Sequence, residues 1–471
     1  ARGIAEFDVS GTGPLVFLGR TIPVRVEELI AMRRGKTDGF RVPVFITMFT
    51  LLVGSAVIQV PSIAAQELDG GELGLVDPAL VGLSPARLER LDAGMQRMVD
   101  EGKVAGVVSL LARKGHVVFV DAAGVQNIET GTPMSTDTIF QIYSMTKPVT
   151  GVAMMMLYEE GKWRLNDPVS RYIPQFEDLQ VHVGEYADGS PVLEPAHRPM
   201  TMRELMTHSG GFDYGGADFV GRLYDENNVR DPDVPLKTMI EKLSKLPLRA
   251  QPGTNFYYSI SVDVQGYVVE KLSGQPFDEF LLTRIFEPLG MDDTAFFVPA
   301  GESDRAAQVH RRTASGDLVL ADNQEVRTLP PAAPFGGHGL YSTAGDYLRF
   351  AQMLLNGGQF GGHRLLSPRT VEMMRTNHLL EEPLQTMQFG SGTGTGRGRG
   401  FGLDFSIVMD AAAAGDPLPD GSYWWYGAAG TWFWIDPVSD LTFIGMIQNF
   451  GATSAEIRGV SHNLVYQALV H

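Results

Sequence analysis

The chain has 471 residues, of which 44% are hydrophobic and 20% are charged. These proportions are those of a folded, soluble protein, and a chain of this length can bury most of its apolar surface in one large domain or two intergrown ones. The formal net charge of -17 argues against a nucleic-acid partner, because phosphate recognition needs a basic face. There are no cysteines, so disulfides, thiolate metal sites and cysteine nucleophiles are excluded.

The N-terminal part of the chain has the pattern of a secretory signal. Met32 is followed by a positively charged stretch at 33–41 and then by an uncharged, mostly apolar stretch at 42–66. Small residues lead up to Ala64, where we expect cleavage. Residues 32–64 are therefore predicted to be a signal peptide.

Two further expectations concern this region. Residues 1–31 precede the internal methionine and are expected to be upstream read-through or cloning-derived sequence. The alternative to a signal is an N-terminal membrane anchor, but the apolar run at 44–58 is shorter than the ~20 residues that a span needs. We expect a periplasmic or secreted protein with no stable membrane span in its mature chain.

The mature chain opens with a helix and a hairpin. Ser84 and Pro85 are typical of a helix start, and apolar residues recur at helical spacing over 84–101. Two apolar runs, 104–112 and 116–122, then flank a Lys-Gly turn, which predicts a β-hairpin.

The end of the chain repeats these elements in the opposite order. Residues 431–436 and 441–449 are predicted to be paired strands, and an amphipathic helix is predicted over 454–469. The simplest packing joins both strand pairs in one antiparallel sheet that is covered by the terminal helices.

This pattern predicts an α/β (α+β) fold with a central antiparallel sheet. We expect one domain over 76–471, with its α/β part at about 76–160 and 330–471. A largely helical insertion is predicted at about 161–330, and the site is expected in the cleft between the two parts.

The sharpest chemical signal is Ser144-Met145-Thr146-Lys147, which precedes a strong helical pattern ending at Gly161. Serine and lysine three residues apart share one face of a helix, so the amine can reach the hydroxyl. A serine hydroxyl is a poor nucleophile until a neighbouring base takes its proton, and a buried lysine can be that base. The tetrapeptide alone is common by chance, and other motifs are needed to support this interpretation.

Rival catalytic motifs are missing from the sequence. No serine lies in Gly-x-Ser-x-Gly, the nucleophile elbow of α/β-hydrolases. There is no His-Glu-x-x-His, and the ten histidines are scattered, so a zinc enzyme is not expected. We expect neither a metal nor a cofactor.

Several blocks in the right order resemble family VIII carboxylesterases, relatives of class C β-lactamases and penicillin-binding proteins. The resemblance covers nearly all of the mature chain. The blocks are Ile142 to Pro148 around the serine, Leu205 to Gly211, Phe256 to Ser259 with Asp263 to Gly266, Gly339 to Tyr347, and Ala428 to Trp434. The resemblance implies a β-lactamase/transpeptidase-like fold and a nucleophile at Ser144.

The resemblance also assigns the other catalytic roles. Lys147 matches the lysine that holds or takes the serine proton, and Tyr258 matches the catalytic tyrosine. A tyrosine near a lysine cation is expected to have a lowered pKa and to pass a proton. Tyr257 remains a competing candidate. The backbone N–H groups of Ser144 and Ala428 are expected to form the oxyanion hole.

The substrate side departs from the β-lactamase pattern. Tyr143, Trp425, Tyr426 and Gly427 are predicted to line the substrate site. Position 425 carries tryptophan where β-lactamases have the lysine of Lys-Thr-Gly, so no cation stands there to receive a β-lactam carboxylate. Ile260 replaces the asparagine of Tyr-x-Asn. The missing cation at position 425 favours neutral esters, and Tyr426 is expected to narrow the cleft.

Other residues near the motifs receive structural interpretations. His338 is expected to be a loop residue, although it could face the cleft. Asp263 and Asp346 are expected to fix helices or loops.

The predicted function is a serine carboxylesterase that hydrolyses short-chain esters through an acyl-enzyme on Ser144, with weak β-lactamase activity as a possibility. The alternatives are a β-lactamase, a D-amino-acid peptidase or an acyltransferase on the same site, and a slow-turnover penicillin-binding sensor. The expected partner is a small ester or β-lactam.

Overall fold

The structure is a computed structural model that describes residues 15–17, 20–22, 75–389, 394–451 and 453–470. The chain divides into two compact units, Ala1–Ser62 and Ile63–His471. The first unit contributes one described hairpin, and the second contains every other element. The predicted signal peptide at 32–64 lies outside the described residues.

The strands are short outside the main sheet. They are β1 Leu15–Phe17, β2 Arg20–Ile22, β3 Gly106–Arg113, β4 His116–Asn127, β5 Thr132–Pro133, β6 Phe140–Gln141, β7 Gln180–Glu185, β8 Pro191–Pro195, β9 His310–Arg312, β10 Leu318–Leu320, β11 Tyr341–Ser342, β12 Gln359–Phe360, β13 His363–Arg364, β14 Gln388–Phe389, β15 Gly394–Thr395, β16 Arg399–Phe401, β17 Ser406–Val408, β18 Tyr423–Tyr426, β19 Trp432–Asp436, β20 Leu441–Met446 and β21 Asn449–Phe450.

The helices flank the sheet and fill the middle of the chain. They are α1 Pro85–Asp100, α2 Thr146–Glu159, α3 Met202–Met206, α4 Phe219–Glu226, α5 Leu236–Leu243, α6 Ser261–Ser273, α7 Phe277–Leu281, α8 Glu287–Leu289, α9 Ala344–Leu355, α10 Pro368–Met374, α11 Glu381–Thr386, α12 Ala411–Ala414 and α13 Thr453–Tyr466. A π-helical turn, Leu282–Phe286, joins α7 to α8, and 3₁₀ turns lie at Pro78–Val81, Tyr143–Met145, Val169–Arg171, Pro174–Phe176 and Ala300–Arg305.

An eight-stranded antiparallel sheet organises the second unit, in the order β16-β17-β18-β19-β20-β3-β4-β5. Strand β20, near the end of the chain, pairs with β3, near its start, from Leu441↔Arg113 to Met446↔Val108. The predicted fold class, a central antiparallel sheet with flanking helices, is therefore confirmed. Between α2 and β11 lie six helices, α3 to α8, the hairpin β7–β8 and the paired strands β9 and β10.

The first hairpin forms where the Lys-Gly turn predicts it. Lys114 and Gly115 both have positive φ, at 52° and 76°, the backbone that a tight hairpin turn requires. Arg113 and His116 pair across that turn. The turn therefore sets the pairing of the two strand ends that it joins, and the register shifts between Leu111 and Ala112.

Both faces of the sheet are buried, in two separate apolar clusters. Strand β3 is buried along its whole length, and neighbouring residues point to opposite sides, as in any strand. Leu110 packs in the cluster that contains α2 and α9, whereas Leu111 packs in the cluster that contains α1 and α13. The terminal helices therefore cover one face, and α9 packs on the other.

None of the helices in the described part of the chain is long and apolar enough to cross a membrane.

Candidate active site

Ser144 lies in the 3₁₀ turn Tyr143–Met145, immediately before α2. Tyr143 has a φ of 44°, an uncommon backbone conformation for a residue other than glycine. Its ring packs edge-on against Phe450, and its hydroxyl donates a hydrogen bond to Gln324 Oε1 at 2.9 Å. These contacts hold a strained residue beside the serine, as is common where a turn presents a functional side chain.

Hydrogen bonds from three other parts of the chain hold the backbone of this turn. The Ile142 N–H donates to the Leu340 carbonyl at 2.9 Å, and Thr431 Oγ1 donates to the Ile142 carbonyl at 3.2 Å. The Tyr347 hydroxyl donates to the Met145 carbonyl at 2.9 Å. The nucleophile turn is thus fixed against both α9 and the central sheet.

Lys147 lies in the first turn of α2 and is fully buried, whereas Ser144 is partly exposed. Its Nζ donates to Ser144 Oγ at 3.2 Å, to the Tyr214 hydroxyl at 2.8 Å and to the Gly337 carbonyl at 2.7 Å. The spacing predicted from the Ser-x-x-Lys motif therefore brings the amine to the hydroxyl, and two further acceptors orient it.

Burial lowers the pKa of Lys147 to about 7. Loss of water around the ammonium is the largest cause, and the positive charge of Arg230 acts in the same direction. The carboxylates of Asp263 and Asp404 oppose this shift without cancelling it. A large fraction of the amine is therefore neutral near pH 7 and able to accept a proton from Ser144.

Tyr258 lies against the lysine amine, with Lys147 Nζ 4.5 Å from the centroid of its ring. His208 and Trp425 pack on the same ring, at centroid distances of 4.7 Å and 5.5 Å. The expectation of a lowered pKa is wrong for this tyrosine. Burial of its hydroxyl raises the pKa well above the ordinary value and outweighs the opposing interactions with Ser144 and Trp425, so the phenol is neutral.

Tyr257, the competing candidate, has different surroundings. Its ring lies under the guanidinium of Arg249 at 4.7 Å, and its backbone N–H donates to the His208 carbonyl at 2.8 Å. Contact with the Lys147 amine thus distinguishes Tyr258 from its neighbour.

Tyr214 is a site residue that the sequence analysis missed. Its hydroxyl accepts the hydrogen bond from Lys147, and its ring lies 5.4 Å from that of Tyr258. The residue comes directly after Gly210-Gly211-Phe212-Asp213, at the end of one motif block. The only signal for this residue in the sequence was a tyrosine placed just after a motif block.

Asp263 acts on the lysine through the backbone of one residue, Gly337. Its Oδ1 accepts a hydrogen bond from the Gly337 N–H at 2.7 Å, and the Gly337 carbonyl accepts from Lys147. His338 stacks on Phe335 and has its Nδ1 3.5 Å from the same carboxylate oxygen. Asp263 therefore fixes a loop, as expected, and that loop holds the amine. Likewise, Asp346 fixes a turn by accepting the Asp293 N–H at 2.9 Å.

Asp404 is a second buried acid that the sequence analysis missed. It is fully buried, and Gln265 Nε2 donates to its Oδ1 at 2.9 Å. A Cβ atom at Gly151, one helical turn after Lys147, would lie 2.9 Å from its Oδ2. Burial raises the pKa of Asp404 well above its ordinary value, and the hydrogen bond from Gln265 and the charge of Lys147 oppose this shift.

Two backbone N–H groups are available where the oxyanion hole is expected. Neither the Ser144 N–H nor the Ala428 N–H donates to a backbone carbonyl or side chain in the described ranges. Gly427, just before Ala428, packs so closely that a Cβ atom there would lie 2.4 Å from the Ile142 carbonyl. This close approach joins the end of β18 to the nucleophile turn.

The two aromatic residues at the end of β18 have different surroundings. Trp425 is buried and packs against Tyr258 and Phe401 in the cluster that contains α2. Tyr426 is partly buried against the other cluster, stacks on Trp424 and lies under the Arg458 guanidinium at 4.1 Å. Trp425 is thus beside the candidate catalytic residues, whereas the role expected for Tyr426 stays a prediction.

Comparison with known proteins identifies the family. The beta-lactamase family model matches residues 91–466. Esterase EstB of Burkholderia gladioli is 30% identical over 78% of this chain and 92% of its own. Lovastatin esterase of Penicillium rubens is 31% identical over 76% of this chain and 92% of its own.

A solved structure agrees with these relatives. EstCE1, described as a hydrolase with promiscuous acyltransferase activity, superposes with a TM-score of 0.67 at 27% identity and covers 81% of this chain and 99% of its own. The chain belongs to the beta-lactamase family, in which it resembles the family VIII carboxylesterases, and it is a serine hydrolase.

Proposed function

We propose that this chain is a carboxylesterase that hydrolyses short-chain esters through an acyl-enzyme on Ser144. The observation that carries the proposal is the buried amine of Lys147, whose pKa is about 7 and whose Nζ lies 3.2 Å from Ser144 Oγ. A base with a pKa near the working pH is well matched to removing the serine proton. The names of the esterase relatives support the same reaction class.

In the acylation step, Lys147 Nζ takes the Ser144 proton while Oγ attacks the ester carbonyl. The carbonyl oxygen becomes an oxyanion, which the N–H groups of Ser144 and Ala428 stabilise. The neutral phenol of Tyr258 gives its proton to the departing alkoxide and regains one from the Lys147 ammonium. Water then attacks the acyl-enzyme, and the same groups act in reverse.

Ester substrates are favoured over β-lactams by the residue at position 425. Trp425 is only 2% exposed and packs on the ring of Tyr258, so that position presents no cation to a substrate. A β-lactam carboxylate needs a cation there for a charge-assisted hydrogen bond. Weak β-lactamase activity remains compatible with the site, because acylation uses the same serine.

Turnover of 4-nitrophenyl butyrate and of nitrocefin, measured side by side with wild type and Ser144→Ala, tests this proposal. We expect fast ester turnover, little cephalosporin turnover and loss of both in the variant. Cephalosporin turnover comparable to ester turnover would show that Trp425 does not set the preference. Ester turnover that survives in Ser144→Ala contradicts the proposal.

Acyl transfer is a second candidate, favoured by the similarity to EstCE1, whose described activities include it. An alcohol that replaces water in the second step gives transfer instead of hydrolysis. Added butanol should then raise 4-nitrophenol release without an equal rise in free butyrate. Equal rises of both products argue against transfer.

A further inference from the structure

Arg230 lies beside the catalytic lysine, on the ring of Tyr214. The guanidinium carbon is 5.0 Å from the ring centroid, and Lys147 Nζ is 5.2 Å from the same centroid. The two cations are therefore separated by no more than the sum of these distances. Arg230 is exposed, so a molecule in solution can reach its side chain.

The charge of Arg230 is not neutralised within the described part of the chain, where its side chain forms neither a hydrogen bond nor an ion pair. Two other arginines of the same region differ. Arg249 pairs with Asp213 at 2.7 Å and with Asp218 at 2.5 Å, and Arg327 lies 3.7 Å from an aspartate. Of these three arginines, Arg230 has its hydrogen-bond donors available.

The backbone on either side of Arg230 is held in place. Lys242 Nζ donates to the Asn228 carbonyl at 2.7 Å, and the Ala333 N–H donates to the Pro232 carbonyl at 3.1 Å. With two anchors and an aromatic ring beneath it, the side chain has less freedom to lose when it binds a ligand. Pre-organisation of this kind increases affinity.

A guanidinium stacked on a ring keeps its N–H edge free for a carboxylate, which it binds through two parallel hydrogen bonds. The overall charge of -17 makes most of the protein unfavourable for an anion, and position 425 offers no cation. We propose that Arg230 is the docking point for a carboxylate on the substrate. The preferred esters then carry an anionic group in addition to the scissile bond. This inference rests on the proposed esterase function.

Two substrate pairs test the proposal and locate the carboxylate. On the acyl side, 4-nitrophenyl hydrogen adipate is compared with neutral 4-nitrophenyl hexanoate. On the alcohol side, 4-carboxyphenyl butyrate is compared with phenyl butyrate. The measured quantity is the ratio of kcat/KM for the anionic ester to kcat/KM for its neutral partner. The effect of Arg230 on the pKa of Lys147 acts equally on both esters and cancels in this ratio.

We expect Arg230→Gln to lower this ratio roughly tenfold in one pair, as fits the loss of a charge-assisted hydrogen bond. Arg230→Lys should retain part of the preference. The preference of the wild type should also weaken with added salt, because screening acts on exposed charges. The pair that responds tells whether the carboxylate belongs to the acyl or the alcohol part.

Arg97→Gln is the matched control, since it removes the same charge from an exposed position on α1, which covers the opposite face of the sheet. It should leave both ratios unchanged. Ratios that are also unchanged in Arg230→Gln overturn the inference, while neutral-ester turnover that still requires Ser144 leaves the esterase proposal intact. Activity that persists in Ser144→Ala overturns the esterase proposal instead.

Discussion

The proposed chemistry depends most on the protonation of one residue, Lys147. Removing the amine from water lowers its pKa, whereas Asp263 and Asp404 raise it, and desolvation is the larger effect. The result is a pKa of about 7 rather than the ordinary lysine value of 10.5. A lysine in water would be almost fully protonated at neutral pH and could not act as a base.

The rate of ester hydrolysis should therefore rise with pH through about 7. Lys147 must be neutral to accept the serine proton, and its folded-state pKa is about 7, so protonation removes activity below that pH. The measurement is kcat/KM for 4-nitrophenyl butyrate against pH. We expect a slope of one proton on the acid side, and a flat profile between pH 6 and 9 argues against the lysine as base.

Replacing Tyr258 by phenylalanine should lower kcat roughly 100-fold, because the proton donor for the leaving alkoxide is lost. Tyr257→Phe removes the same atom from the adjacent residue, which packs under Arg249, and should stay within a few-fold of wild type. Equal losses of kcat in the two variants would contradict the assignment of Tyr258, rather than Tyr257, as the proton donor. Circular dichroism on both variants checks that the fold is retained.

The sequence predicts those site residues whose relation is local. Ser144 and Lys147 are three residues apart, so helix geometry alone brings them together. Tyr214 is 67 residues from Lys147 in the chain, and only the packing of the helical insertion joins the two. The expectation of a lowered pKa for Tyr258 was wrong for a similar reason. Burial of its hydroxyl by several elements, and not the nearby cation, decides that pKa.

At the scale of secondary structure, the end of β18 packs closely against the nucleophile turn. Gly427 has no room for a side chain, because a Cβ atom would lie 2.3 Å from Thr431 Oγ1 and 2.4 Å from the Ile142 carbonyl. Thr431 also donates to that carbonyl. The strand end and the turn are therefore packed directly against each other, and this packing sets the relative position of the two candidate oxyanion donors.

Gly427→Ala should push the end of β18 and the nucleophile turn apart. Overpacking of this kind costs about 1–3 kcal/mol, and a shift of the turn misplaces the nucleophile. We expect a lower melting temperature and a drop of roughly tenfold or more in kcat with little change in KM.

Gly459→Ala is the control for this variant, because the position is exposed in α13 and a Cβ atom there meets nothing within 4 Å. It should stabilise the protein by about 0.5–1 kcal/mol through the better helix propensity of alanine, with unchanged kcat. A Gly427→Ala enzyme that is fully active would show that the strand end does not position the serine.

Elements with strong periodicity or clear end signals are predicted well from the sequence. The predicted helix at 84–101 is Pro85–Asp100 in the structure, and the strand predicted at 431–436 is Trp432–Asp436. Strands of two residues, such as β6 and β11, carry no recognisable pattern. They form because tertiary packing brings their backbones together, and β6 leads directly into the nucleophile turn.

At the scale of the whole molecule, the two chain ends build the sheet and the middle supplies the other wall of the site. Strand β20 pairs with β3, and Tyr214, Tyr258 and Arg230 all come from the part between α2 and β11. The sheet can therefore form only when the early strand β3 and the late strand β20 are both present. The predicted domain limits at 76, 161 and 330 stay predictions.

The unit that begins at Ile63 contains every candidate catalytic residue, so residues 1–64 should be dispensable for activity. A chain that begins at Ala65 should hydrolyse 4-nitrophenyl butyrate with the kcat/KM and melting temperature of the full chain. Expression of the full chain with export should give an intact mass that corresponds to cleavage near Ala64. A mature protein that retains residues 32–64 contradicts the signal peptide and favours an anchor.

The most direct test of the central claim is to capture the acyl group on Ser144. Wild type and Ser144→Ala are mixed with 4-nitrophenyl butyrate, quenched in acid within the first turnover, and measured by intact and peptide mass spectrometry. We predict one added butyryl group in the wild type, located on the peptide that contains Ser144, and none in the variant. A butyryl group on another residue, or turnover without any covalent intermediate in Ser144→Ala, would contradict the assignment.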